Sequence, residues 1–225
     1  MSIVTQGAPL RRALLLILTG MTLLAAFAVA ACRSQPEPSF GGPTVTAIAS
    51  SAPPAPAGPS VAVRKGALPS AGTDVEPARL DIPELRLRAT VSAVGIDRGT
   101  GDFAVPPSVD RVGWYKFGPG FQATAGSIVI AGHVDSATQG KGAFFRLGSL
   151  EDGDRITLYD RNETAREFRV VARERYAKTK IPLNRYFARD GQVRLTLITC
   201  GGPFDARTGH YRDNVVVTAE PVAAR

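Results

Sequence analysis

From Val193 to Cys200 the chain alternates with a period of two. Val193, Leu195 and Leu197 fall on one side of an extended backbone, and Arg194, Thr196, Ile198 and Cys200 on the other. That pattern fits a strand with one apolar face. It also sets the thiol on the face opposite the apolar one, whereas a cysteine kept for packing more often shares the apolar face. Gly201, Gly202 and Pro203 interrupt the run, and a second β-branched run, Val215 to Val217, follows. Arg212, twelve residues past Cys200, leads into it. The reading predicts a thiol at the end of one strand and a guanidinium at the start of the next.

The rest of the folded part repeats this grammar. Leu80, Ile82, Leu85 and Leu87 predict a strand broken at Pro83, and Ala89 to Ile96 another. Arg98 to Asp102 is turn chemistry. Trp114 and Tyr115 belong to the core or to a groove wall. A short strand from Gly126 to Ala131 ends at Gly132 and His133. Ala143 to Leu150 reads as a helical turn with Phe144, Phe145, Leu147 and Leu150 inward. Ile156 to Tyr159 and Glu167 to Ala172 are strands, and a long connection runs from Arg173 to Gly191. Many short strands with turns between them, almost no helical periodicity and no internal repeat predict an all-β barrel or sandwich.

The N-terminal third is different. Arg11 and Arg12 precede an uncharged run of nineteen residues, Ala13 to Ala31, long enough to span a bilayer core of about 30 Å. Val29-Ala30-Ala31-Cys32 also fits a lipobox, so Cys32 is a lipidation candidate. Residues 1–32 are therefore expected to be a signal anchor or a lipoprotein signal. Residues 33–76, rich in Pro, Ala and Ser, are expected to be a disordered linker, because so few large apolar side chains cannot offset the entropy of ordering. Residues 77–225 are the expected globular domain. The formal charge of +7 would suit nucleic acid, but such an N-terminus sends the domain out of the cytoplasm. An anionic wall or membrane surface is then the expected counterpart, with no nucleic acid partner.

Chemistry concentrates in few side chains. A thiol is mostly protonated at neutral pH and becomes a nucleophile as thiolate, which an imidazole, a guanidinium or backbone N–H groups can stabilise. Only His133 and His210 supply imidazole. His133 follows a strand among small residues that admit a substrate backbone, while His210 lies between Cys200 and Arg212. Arg212 presents five donors in a rigid fork, and Arg194, on the cysteine's face, is the alternative. Asp135 and Asp213 are candidates to orient His133 or Arg212. Two separated histidines and one domain thiol do not make a metal site, and a lone domain cysteine forms no internal disulfide.

Thr196 to Cys200, T-L-I-T-C, resembles the T-L-x-T-C signature of sortases, the cysteine transpeptidases of bacterial surfaces. With A-G-H-V-D-S at Ala131 to Ser136, I-T-C-G-G at Ile198 to Gly202 and Y-R-D-N-V-V-V at Tyr211 to Val217, the chain is most similar to class F sortases from about Pro77 onward. The resemblance implies a closed β-barrel of about eight strands with short helical turns, and a groove on its wall floored by the strands ending at His133 and Cys200. It implies Cys200 as nucleophile, His133 as general acid and base, and Arg212 as oxyanion or substrate stabiliser. Ile198, Thr199, Gly201, Lys180 and Pro182 are the expected substrate-binding residues.

The implied substrates are secreted proteins with a C-terminal LPxTG-like sorting signal, cut between Thr and Gly and passed to a peptidoglycan precursor or another amine. No cofactor and no metal are implied, and the expected protein is a membrane-attached monomer with its catalytic domain outside the cell. Two other readings stand beside this one: a thiol hydrolase on the same site, and a non-catalytic, membrane-anchored wall-binding module with an inert cysteine. The signatures of an L,D-transpeptidase are not found.

Overall fold

Leu195 and Leu197 enter a closed core, and the strand that carries them sits near the middle of the sheet. The computed structural model describes residues 38–50, 75–97, 99 and 103–222. The apolar run 13–31 and Cys32 lie outside these residues. The strands are β1 (Pro77–Ile82), β2 (Leu87–Val94), β3 (Val112–Tyr115), β4 (Ser127–Gly132), β5 (Asp135–Ser136), β6 (Gly140–Lys141), β7 (Arg155–Asp160), β8 (Ala165–Ala177), β9 (Arg194–Asp205) and β10 (His210–Pro221). Eight of them close a barrel in the order β1-β2-β3-β4-β9-β10-β8-β7, and β5 and β6 form a separate ribbon. The pairs β2–β3 and β4–β9 are parallel, and the other neighbours are antiparallel. The expected all-β barrel is therefore the observed fold.

Alternation sorts each strand between two environments. Ile128 and Ile130 of β4, Leu195 and Leu197 of β9, and Val217 and Ala219 of β10 fill the interior, together with Leu80, Trp114, Phe168 and their neighbours. Trp114 is thus core, and its indole N–H donates to the Pro119 carbonyl at 2.9 Å. The intervening residues face outward, where a second apolar cluster forms from Val45, Ala172, Tyr186 and Val216, with Ile181, Phe187 and Ile198 packed against it.

Four local expectations are corrected. Gly201, Gly202 and Pro203 do not end the strand: β9 runs on to Asp205, because Gly202 takes φ 74° and lets the ladder with β10 shift register instead of stopping. Cys200 therefore lies inside a strand. β8 extends from Ala165 to Ala177, absorbing the start of what reads as a connection, since its outer face is covered and its long partner β10 continues the pairing. The helical turn shrinks to a 3-10 helix, Leu147–Ser149, and Phe145 is exposed beneath the Lys141 ammonium while Phe144, Leu147 and Leu150 are buried. The strand expected at Ala89 to Ile96 is β2, which stops at Val94.

A fifth difference concerns the stretch read as a disordered linker. Within it, α1 (Gly42–Ser50) is helical and lies on β8. Val45 and Ile48, three apart on one helix face, are buried. The barrel supplies the apolar partner surface that a composition argument cannot see. Gly41 enters the helix at φ 76°, where an added Cβ would overlap the Val171 carbonyl. Phe40 bridges Arg173 through the backbone, and Gln192 N–H donates to the Ile48 carbonyl at 3.1 Å, so both ends are stitched to the barrel.

Ile48→Ala is expected to lower stability by about 2–5 kcal/mol, the usual range for a truncated buried aliphatic. The check is a shift in the urea midpoint at unchanged slope.

Candidate active site

The parallel pairing of β4 with β9 runs from Ser127↔Arg194 to Ala131↔Ile198. His133 and Cys200 each lie two residues past that last pair. One further bond continues the alignment: the Thr199 hydroxyl donates to the Gly132 carbonyl at 2.8 Å. Directly paired residues share a face of a sheet. Ala131 and Ile198 are on the outer face, so the same parity sends Cys200 outward within β9, while His133 follows directly on the end of the neighbouring β4. Both side chains are half-buried, and Cys200 is a free thiol.

The imidazole is held from behind. His133 Nε2 lies 2.9 Å from the Pro106 carbonyl oxygen, which can only accept, so Nε2 carries the hydrogen. In the neutral ring Nδ1 is then the nitrogen without a hydrogen. The backbone is fixed as well: Phe144 N–H donates to the His133 carbonyl at 3.0 Å and Gly142 N–H to the Val134 carbonyl at 2.9 Å.

On the other side of the thiol, Asn214 pairs with Cys200 across the β9–β10 ladder. The register shifts between Tyr211 and Asp213, and Arg212 falls within that irregularity. Two residues before Asn214 along β10, Arg212 is exposed. Its exposed guanidinium rests 3.3 Å from Asp205 Oδ2. An exposed pair of this kind contributes about 0–1 kcal/mol, so the contact yields readily. Asp135, expected to orient His133 or Arg212, accepts a hydrogen bond from the Tyr211 hydroxyl at 2.5 Å instead. That bond, with burial and the nearby charges of Asp135 and Cys200, raises the Tyr211 pKa above the ordinary tyrosine value. Asp213 lies against Gly202.

The other expected residues divide. Ile198 and Ile181, which precedes Pro182, pack against the same outer cluster, so the connection after β8 borders the outer face that carries the thiol. That connection holds a 3-10 helix, Lys178–Lys180, and α2 (Leu183–Tyr186); Lys180 is exposed and Pro182 half-buried. Thr199 is buried with its hydroxyl on β4. Gly201 passes close to Val215. His210 is exposed at the start of β10.

Arg194 is no rim charge. It is fully buried and donates to the carbonyls of Arg185 at 3.0 Å and Gln192 at 2.9 Å. Burial pulls its pKa below the ordinary arginine value. It fastens the connection to the barrel and is removed from the oxyanion candidates. Among the described residues, no group of three or more His, Cys, Asp or Glu could hold a metal ion.

With this geometry in view, the comparisons decide the family. Residues 80–222 match the sortase domain. The chain belongs to the sortase family. Sortases are generally cysteine transpeptidases that act outside the cytoplasm. Among solved structures, the chain is similar to a pilus-related sortase C of Group B Streptococcus, at 13% identity and TM-score 0.50, covering 68% of this chain and 69% of that one. It is also similar to sortase A from Corynebacterium diphtheriae, lid mutant, at 19% identity and TM-score 0.50, covering 66% and 71%. A third is sortase C1 from Streptococcus suis, at 15% identity and TM-score 0.50, covering 67% and 75%. At these identities the likeness concerns the fold. No curated protein matches the chain.

Sequence reasoning missed Pro106, whose role is carried by a backbone carbonyl and leaves no side-chain signal. It quoted Tyr211 within a motif without assigning it work.

Tyr176 and Tyr186 share the behaviour of Tyr211: burial first, then hydrogen bonds to Glu174, raise both pKa values. The folded state therefore holds these phenolic protons more tightly than the unfolded chain does. The stability they carry is complete below about pH 10 and declines as pH rises further. In a spectrophotometric titration, Tyr211→Phe is expected to remove one phenolate step lying above the ordinary tyrosine range.

Proposed function

We propose that this sortase is a class F-like enzyme that cleaves an LPxTG-like sorting signal between Thr and Gly and transfers the acyl part to a cell-wall amine. The observation that carries the reading is the β4–β9 register, in which His133 and Cys200 each follow the last pair, Ala131↔Ile198, by two residues. Cys200, as thiolate, attacks the threonine carbonyl carbon, and the carbonyl oxygen becomes an oxyanion. Arg212, released from Asp205, donates to that oxyanion. Collapse breaks the Thr–Gly bond; the glycine amine takes a proton from the His133 imidazolium at Nδ1, leaving a thioester on Cys200. An incoming amine, such as that of a peptidoglycan precursor, attacks the thioester and gives its proton to neutral His133. A new amide forms and the Cys200 thiolate is regenerated, with no cofactor required.

Ile198 and the segment from Lys180 to Pro182 border the groove for the signal, the backbone N–H groups near Gly201 assist in holding it, and Thr199 braces the two strands beside the thiol. The domain division fits this role: an anchor or lipidated leader at 1–32 with Cys32, a connecting stretch at 33–76 that includes α1, and the catalytic barrel at 77–225 outside the cell. Among the described residues, no helix is long and apolar enough to cross a membrane. Attachment through residues 1–32 is therefore a matter for intact-mass measurement on membrane fractions.

The test is incubation of the protein with a sorting-signal peptide and an amine. The expected products are a thioester on Cys200 and an amine adduct. A free threonine carboxylate formed in place of the amine adduct, with amine present, would instead identify a hydrolase. A Cys200 that resists mild alkylation would favour the binding module.

Cys200→Ala is expected to abolish the thioester. Arg212→Ala is expected to lower kcat by roughly 10²–10³-fold at unchanged melting temperature, because its side chain is two-thirds exposed (66%). The two readings come from peptide turnover and thermal denaturation of the same preparations.

A further inference from the structure

Neither His133 nor Arg212 is located by the regular sheet. The last β4–β9 pair is Ala131↔Ile198, and β4 ends at Gly132, so His133 lies beyond the ladder. Arg212 falls in the register shift between Tyr211 and Asp213. Backbone pairing alone leaves the spacing between the imidazole segment and the guanidinium segment open. One side-chain hydrogen bond closes it: Tyr211 Oη donates to Asp135 Oδ2 at 2.5 Å, across 76 residues of sequence.

We propose that Tyr211 and Asp135 form a positioning pair that fixes His133 and Arg212 about Cys200. This rests on the sortase reading of the site and deepens it.

Each partner stands close to what it positions. Asp135 is two residues past His133 and belongs to the ribbon in which it pairs with Lys141. The Gly142 and Phe144 N–H groups close the same loop onto Val134 and His133, so a pull on Asp135 is transmitted to the histidine and is not absorbed by a slack loop. Tyr211 is one residue before Arg212, and its ring lies edge-on to Phe204 at 5.2 Å, which sets the direction of the hydroxyl. A hydroxyl donating to a carboxylate is among the stronger protein hydrogen bonds. The raised Tyr211 pKa, to which Cys200 contributes, agrees with a hydroxyl held near both Asp135 and the thiol. The bond thus joins the His133 loop to the β9–β10 hairpin, and the ladder pair Asn214↔Cys200 completes the circuit to the sulfur.

The experiment uses the full chain in four forms: wild type, Tyr211→Phe, His133→Ala and the double variant. Iodoacetamide alkylation of Cys200 is followed against pH by mass spectrometry of the Cys200 peptide, and so needs no sorting signal. His133→Ala is expected to slow alkylation at neutral pH. Tyr211→Phe is expected to slow it severalfold in the wild-type background and not at all when His133 is already absent, because the tyrosine acts through the histidine. In peptide turnover, Tyr211→Phe and Asp135→Ala are each expected to lower kcat about tenfold with KM within twofold, as for a small misplacement of reacting groups. Asp135→Asn, which keeps an acceptor oxygen, is expected to restore most of the rate, and the Asp135 pair carries the test if Tyr211→Phe fails to fold.

A wild-type alkylation profile and kcat in Tyr211→Phe, or an effect that adds in full to that of His133→Ala, would overturn the positioning role alone. No effect of His133→Ala on alkylation would overturn the Cys200–His133 reading itself, and the pair with it.

Discussion

The site depends on the parallel ladder between β4 and β9. Sixty-odd residues separate these strands, yet Ser127↔Arg194 through Ala131↔Ile198 set them in one register. A slip of one residue would turn Cys200 to the interior and move it out of step with the segment that carries His133, because side chains change face at every step. Three features resist that slip. Ile128, Ile130, Leu195 and Leu197 are all buried in the core, so the inward parity of both strands is fixed. The Ser127 and Thr196 hydroxyls lie 2.7 Å apart in a buried pair. The Thr199 hydroxyl reaches the Gly132 carbonyl immediately before the histidine. Hydrophobic burial sets the face, and these polar contacts set the position along the strand.

The outer wall near the site is also braced. Glu174 accepts from Tyr186 at 2.5 Å, Tyr176 at 2.7 Å and Arg185 at 2.8 Å, and Arg185 reaches Thr46 of α1 at 3.1 Å. Removing one member would leave a buried charge or hydroxyl without its partner, which costs more than the bond contributes when intact. Arg194 ties the following segment down by donating to backbone carbonyls. The connection between β8 and β9 is thereby held firmly, fastened at one side by a carboxylate cluster and at the other by a buried guanidinium. α1 takes part in the same network, so the segment preceding the barrel is integrated with the wall of the site.

Much of this was legible in the residues. Alternation from Val193 to Cys200 gave the correct face for the thiol, because burial on one side of a strand enforces a period of two. The barrel class followed from short strands and turns, and the motifs around His133, Cys200 and Arg212 fall on β4, β9 and β10 or immediately beyond them. What was hidden depends on partners distant in sequence. Gly202 reads as a breaker, but in this ladder its positive φ permits a bulge, and the strand continues. Residues 42–50 carry too few large apolar side chains to order alone, and they order because β8 offers a surface for Val45 and Ile48. Arg194 has the parity of a groove residue but lies under the connection after β8. Pro106 contributes a carbonyl, which no residue type announces.

Closure of the barrel has a consequence for how a guest is held. Each of the eight strands has a neighbour on both sides, so over its paired stretches the cylinder leaves no flank along which an extended peptide could lie as an additional strand. Recognition by strand addition draws affinity from main-chain bonds that are largely indifferent to side-chain identity. A closed cylinder must instead grip its visitor through shape and individual side chains on its outer surface. Selectivity in such a protein is therefore written in the connections that border the surface, and it can be rewritten there without disturbing the staves beneath.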